Sequence, residues 1–284
     1  ILIDCGMAQG PDLFDKQSLS VYPPDIDYVL LTHAHIDHSG LLPLLGANGF
    51  RGEIHATSAT TKLCGIMLRD AAHIQEFETE VENRKAERNN EELSEPLYTI
   101  EDAEKVMRYF ISHDYNEAFY LGKDNGIRVK FYDAGHLLGS AHIEVSYVED
   151  GKEQIIVFSG DIGNQDKPII CNPNPPKKAD YIVMESTYGD RDHEQRIDPV
   201  ATLANVLRET FAKGGNVIIP SFAVGRTQEI LYEIDKLKDE GFSEADVEKL
   251  TELAFTTPSL DGLLGIAPTK ATKEAVSTIY RESL

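Results

Sequence analysis

Six consecutive residues, His33-Ala34-His35-Ile36-Asp37-His38, gather three imidazoles and a carboxylate. These are the borderline ligands that suit Zn²⁺. The 284-residue chain has nine histidines, so three in one such window is a concentration rather than background. The apolar run Tyr28–Thr32 leads straight into it. A strand ending in a tight loop can aim His33 and His35 at one ion while the turn carries Asp37 and His38 to a second. Two more strand ends offer ligands. Asp133-Ala134-Gly135-His136 places a histidine after Ile127–Tyr132, and Phe158-Ser159-Gly160-Asp161 places a carboxylate after Ile155–Phe158, where it could bridge two ions. The chain has neither a Gly-x-Ser-x-Gly elbow nor a P-loop, so serine-hydrolase and NTPase chemistry have no support.

The elements that must position these groups follow from pattern. Ile1–Cys5, Tyr28–Thr32 and Glu53–Ala56 read as strands, with a short helix after Gly40. A helix begins near Thr60, and the charged stretch Glu76–Glu95 reads as solvated helix or loop. Thr99 with Asp102 makes a capping box that opens a helix through Phe110. Ile127–Tyr132, Ile143–Val148, Ile155–Ser159 and Tyr181–Glu185 are strand candidates, several of them continuous apolar runs expected to be covered on both faces. From about Pro199 the rhythm changes to a helix (Ala201–Ala212), a buried strand (Val217–Pro220) and a helix with Ile230, Leu231, Ile234 and Leu237 on one face.

Composition sets bounds. Apolar residues make up 41% and charged residues 26%, as in ordinary globular proteins. No apolar run approaches the ~18 residues of a membrane span, so no membrane partner is expected. The net charge of −21 argues against holding nucleic acid by bulk electrostatics, yet a metal site supplies its own positive charge to a phosphate. Cys5, Cys64 and Cys171 are far apart and form no Cys-x-x-Cys pair, which fits reduced thiols in a cytoplasmic protein. No signal peptide is visible, and the chain opens on Ile1 in strand-like sequence.

The motifs LIDCG (Asp4), THAHIDHSG, DAGHLLGSA (His136) and FSGDIGN (Asp161) resemble those of the metallo-β-lactamase fold. Glu185-Ser186-Thr187-Tyr188-Gly189 and residues 214–234 resemble its β-CASP branch of RNA- and DNA-processing nucleases, and residues 260–282 match a later segment of that branch loosely. The resemblance implies an α/β fold: a four-layer αβ/βα sandwich over residues 1–198, with the start of an inserted α/β cap over 199–284. It implies two Zn²⁺ ions, with His33, His35 and His136 on one, Asp37 and His38 on the other, and Asp161 bridging. Asp4 would lie beneath the site, orienting the loop, and Glu185 would align a proton-donating histidine. The implied function is phosphodiester cleavage of RNA, alternatively single-stranded DNA, by a metal-bridging hydroxide that ions about 3.5–4 Å apart generate near neutral pH. Homo-oligomers are compatible with it.

The branch carries two further histidines after the cap, whereas residues 194–284 here contain none. The sequence is therefore expected to be the central part of a longer protein, with the second metal short of a ligand. Arg226, where a strand turns into a helix, is a candidate phosphate contact. Tyr188, Arg191 and His193 are candidates to line a substrate groove. His55, His73, His113 and His142 read as packing or surface groups. Two other readings compete: a small-molecule thioester or lactone hydrolase, which the cap segment disfavours, and a non-catalytic scaffold in an RNA-processing complex.

Overall fold

The computed structural model describes residues 1–8, 17–122, 124, 126–191, 198–256 and 270–283. The chain divides into two compact units, Ile1–Glu185 and Ser186–Glu282.

The first unit holds two sheets. One is parallel, in the order β1 (Leu2–Ile3), β2 (Tyr28–Leu30), β3 (Glu53–Thr57), β4 (Phe110–His113). The other runs β5 (Ala118–Leu121), β6 (Ile127–Asp133), β7 (Ala141–Glu149), β8 (Lys152–Phe158), antiparallel throughout, and ends with β9 (Tyr181–Val183) parallel to β8. Alternation explains the core. Val129 and Phe131 of β6 and Ile143 and Val145 of β7 point to one face and pack with Leu30 and Leu121. Each such side chain contributes roughly 1.5–3 kcal/mol by leaving water. The mixed α/β class expected from the sequence is what forms.

Helices α1 (Ile36–Ser39), α2 (Leu42–Ala47), α3 (Ser58–Asn89) and α4 (Ile100–Val106) complete the unit, with α3 packing on β3 and β4. Thr57 caps α3 by accepting from the Thr60 amide, and Asn90 ends it in the left-handed conformation. The buried residues of α3 lie between Thr60 and Ala72, while its distal half is solvated helix. The capping box at Thr99 and Asp102 forms with both bonds. The helix it opens stops at Val106, not at Phe110. One tight turn follows, and Phe110–His113 pairs with the open edge of β3 instead. An available ladder outweighs local helical preference here. Among the described residues β9 pairs only with β8, and its residues are 57–65% exposed.

In the second unit, α5 (Pro199–Ala212) is capped by the Asp198 carboxylate, which accepts from the Val200 and Ala201 amides. With α6 (Arg226–Lys236) and α7 (Glu244–Thr256) it buries Ala204, Leu207, Ile230, Ile234, Leu237 and Val247. Helix α8 (Lys270–Ser283) adds buried Val276 and Tyr280. The expected strand Val217–Pro220 does not form, and Ile218 is 86% exposed. A strand needs a ladder partner, and no described segment of this unit pairs with it. No described helix is long and apolar enough to cross a membrane.

Candidate metal centre

In the parallel sheet, the carboxyl ends of β1 and β2 emerge side by side, which places Asp4 beside the start of the histidine loop. The Asp4 amide donates to the Leu30 carbonyl (3.0 Å), and its side chain accepts from the Thr32 amide at Oδ1 (2.7 Å). The following residues strap the loop. The Cys5 amide donates to His38 O (2.7 Å) and the Met7 amide to Ile36 O (2.9 Å). Gly6 lies so close beneath that a Cβ there would sit 1.5 Å from the Asp37 carbonyl oxygen. His35 precedes α1, which carries Asp37 and His38.

The other two segments arrive from the antiparallel sheet. After β6, Asp133 Oδ1 accepts from the Gly135 amide (2.8 Å), and Ser140 Oγ accepts from the His136 amide (3.1 Å). The Gly139 carbonyl receives the hydroxyls of Thr57 (2.7 Å) and Thr60 (2.8 Å), pinning this loop to the start of α3. After β8, Gly160 adopts φ +55° against Thr32, and the Gly163 amide donates to Ala134 O (2.9 Å), fixing the Asp161 turn beside the His136 loop.

These segments converge. His33, His35, His136 and Asp161 each place one donor atom within 4.8 Å of all the others. His35 Nδ1 lies 3.1 Å from His33 Nε2 and 3.3 Å from His136 Nε2. Asp161 Oδ2 lies 3.7 Å from His33 Nε2 and 3.5 Å from His136 Nε2, while its Oδ1 lies 3.2 Å from His38 Nε2. Asp37 Oδ2 stands 4.0 Å from His38 Nε2. One carboxylate thus faces His33 and His136 with one oxygen and His38 with the other.

The electrostatics suit cation binding. Burial, then the neighbouring imidazoles, push His33 well below the ordinary histidine range, and burial brings His35 and His136 to about 4. At neutral pH these three rings are uncharged, the form that ligates. Burial also lowers His38, but its bonds to Asp161 and Asp4 outweigh that and raise it to about 10; the same His38 bond holds Asp161 below the usual carboxylate range. Three neutral imidazole nitrogens and a carboxylate so closely grouped are a donor set that fits a metal ion of the zinc type.

The family model described as "Metallo-beta-lactamase superfamily domain" matches residues 1–165. The chain belongs to the metallo-β-lactamase superfamily. Among curated proteins it is 38% identical over 233 residues to Ribonuclease TTHA0252 of Thermus thermophilus, covering 82% of this chain and 48% of that protein. It is 32% identical to Transcription termination factor FttA of Methanothermobacter thermautotrophicus (83% and 36% covered). Against Cleavage and polyadenylation specificity factor 73 of Drosophila melanogaster the identity is 31% (83% and 32%). The chain therefore spans about half or less of the length of these relatives. Their names bear out the resemblance to the RNA-processing branch of the superfamily.

The remaining predicted residues of this superfamily member fall as follows. Asp4 does lie beneath the loop, its Oδ2 accepting from His38 Nδ1 (2.7 Å). Glu185 is tied to the Asp161 segment: its carboxylate accepts from the Ile162 amide (2.5 Å), and its own amide donates to Ser159 Oγ (3.1 Å). Arg226 is the first residue of α6 and pairs within that helix with Glu229 (2.9 Å) and Glu233 (3.4 Å). The Arg191 guanidinium lies 4.8 Å from the Tyr188 ring centroid. His193 lies outside the described residues. His142 is buried, donating from Nδ1 to Ser159 O (2.7 Å), and His73 is exposed. His113, which has no motif in the sequence, sits 2.8 Å from His55 and stacks on Phe119.

Two residues at the site carried no signal strong enough to single them out. Lys167 donates to the His136 carbonyl (3.1 Å), bringing a cation beside the cluster of an acidic chain. Thr32 reads as the last residue of a strand, yet its hydroxyl sits between Asp4 and His33.

Proposed function

We propose that this chain is the catalytic portion of a zinc-dependent phosphodiesterase that cleaves RNA. The observation that carries this is the division of Asp161, with Oδ2 toward His33 and His136 and Oδ1 toward His38. On this reading His33, His35 and His136 would hold one zinc ion and Asp37 and His38 the other, and Asp161 would serve as a ligand as well. Residues 1–198 form the catalytic domain, and 199–284 are the start of an inserted α/β domain. The names of the relatives, a ribonuclease among them, support the choice of RNA.

When bound, the two ions supply Lewis acidity toward phosphate oxygens and a nucleophile at neutral pH. The chain's own groups do the rest. The Asp37 carboxylate, whose Oδ2 stands 4.0 Å from His38 Nε2, would take a proton from the attacking water. Water attacks phosphorus in line as the bond to the leaving ribose oxygen breaks. Glu185 keeps the Asp161 turn in place through the Ile162 amide and is available to orient a proton donor to that oxygen. The Lys167 ammonium draws the phosphate toward a chain of net charge −21.

The test uses labelled RNA and the full-length protein loaded with zinc. Wild type should cut it, chelation should stop cutting and added zinc should restore it, and Asp161→Asn should not cut. Equal cutting by wild type and Asp161→Asn refutes the assignment, and hydrolysis of a thioester without action on RNA replaces the substrate class.

A further inference from the structure

We infer that Thr32 is the positioning residue that fixes which ring nitrogen of His33 faces the metal. The inference rests on the metal-centre reading above and concerns a residue that takes no part in ligation. Thr32 is 1% exposed and touches every segment that carries a ligand. Its amide donates to Asp4 Oδ1 (2.7 Å). Its carbonyl accepts from the Ala141 amide (2.8 Å), where β7 leaves the His136 loop. Its side chain abuts Gly160, the residue before Asp161, where an added Cβ would lie 2.8 Å from Thr32 Cβ and 3.1 Å from its methyl. Its Oγ1 lies 2.8 Å from Asp4 Oδ2, 3.0 Å from His33 Nδ1 and 3.4 Å from His38 Nδ1.

The proton count in this group leaves one arrangement. A threonine hydroxyl has a single proton and two lone pairs, and a carboxylate only accepts. Oγ1–H therefore goes to Asp4 Oδ2, the short contact to an acceptor that cannot donate. The hydroxyl then faces His33 with a lone pair, so His33 Nδ1 carries the proton and Nε2 is left with its lone pair. Nε2 is the atom in the cluster, 3.1 Å from His35 Nδ1. His38 Nδ1 lies closer to Asp4 Oδ2 (2.7 Å) than to Oγ1, so the carboxylate itself orients that ring. Asp4 thus sets His38 directly and sets His33 only through the Thr32 hydroxyl. Bonds from the second nitrogen of a ligating imidazole are what fix its tautomer and ring orientation.

Two variants separate the hydroxyl from the packing. T32V keeps the shape against Gly160 and removes the acceptor from His33 Nδ1. T32S keeps the acceptor and removes the methyl. Zinc affinity, measured by competition with a chromophoric chelator, should fall about 10–100-fold in T32V. In T32S it should stay within about threefold of wild type, short of the loss that an unfixed ligand produces. Wild-type affinity in T32V, or an equal loss in T32S and T32V, overturns the inference. A second measurement needs no metal and no variant: long-range ¹H–¹⁵N correlation on histidine-labelled, metal-free wild type should show His33 protonated at Nδ1, and a proton at Nε2 overturns the inference. Failure of wild type to take up zinc would refute the metal-centre reading instead, and the His33 tautomer would still decide the role of Thr32.

Discussion

Replacing Asp4 by asparagine isolates the charge beneath the metal cluster. Asp4 holds φ +56°, a left-handed conformation that asparagine tolerates as well as aspartate, so the backbone has no reason to move. Three donors converge on the carboxylate: the Thr32 amide (2.7 Å), the Thr32 hydroxyl (2.8 Å) and His38 Nδ1 (2.7 Å). Asparagine retains an oxygen for the amide but turns an NH₂ toward the other two donors. Two charge-assisted bonds are lost, each worth ~1.5–3 kcal/mol net. The hydroxyl can rotate to recover part of this, so metal-free stability should fall by about 3 kcal/mol. For a unit spanning Ile1–Glu185, that lowers the melting temperature by roughly 6–12 °C. The second consequence is chemical. Facing an NH₂ group, His38 must present a lone pair at Nδ1 and carry its proton on Nε2, the atom 3.2 Å from Asp161 Oδ1. Zinc affinity on that side of the site should drop about 10–100-fold. Calorimetric melting of the metal-free chain reads the first effect, and chelator competition reads the second. An Asp4→Asn protein with wild-type zinc affinity refutes the tautomer argument, and one that melts with the wild type refutes the hydrogen-bond accounting.

Other outcomes follow from the same geometry. Gly6→Ala forces a Cβ onto the Asp37 carbonyl, which is backbone and cannot swing aside; it should cost more than ~3 kcal/mol and abolish zinc uptake, read by melting and metal analysis. Burial lowers His55 to about 4, whereas the unfolded chain takes up its proton near 6.5. Stability is therefore intact above pH 6.5 and declines toward pH 4, by about 2 kcal/mol from this group at pH 5. Urea titrations at pH 7.5 and pH 5 should show a smaller loss in His55→Phe, and an unchanged loss removes His55 as the cause. Lys167→Met should raise KM for RNA with little change in kcat and flatten the salt dependence by a log–log slope of about 0.7, and an unaltered slope would exclude contact with phosphate.

The donor atoms of the site were legible in the sequence because each sits at a strand end or in one six-residue window, and such positions need only local structure to converge. His33, His35, His136 and Asp161 come together without any long excursion of the loops that carry them. What sets the orientation of those atoms was not legible. Thr32 has the β-branched side chain expected at the end of any strand, and its function arises only because Asp4, 28 residues away, lies alongside. His113 was opaque for the same reason, since its partner His55 is 58 residues distant. The strand readings divide by a related principle. β6, β7 and β8 were recognisable because each is rich in apolar residues and pairs antiparallel with its neighbour in sequence. Phe110–His113 was hidden behind a helical pattern until the edge of β3 claimed it, and Val217–Pro220, equally strand-like in composition, has no described partner and stays irregular. Composition specifies which groups can ligate or pair, whereas the tautomer of His33 and the pairing of β4 depend on which neighbour the fold supplies. The grouping of donor side chains can therefore be read from one chain, but their orientation requires knowing what stands behind each imidazole.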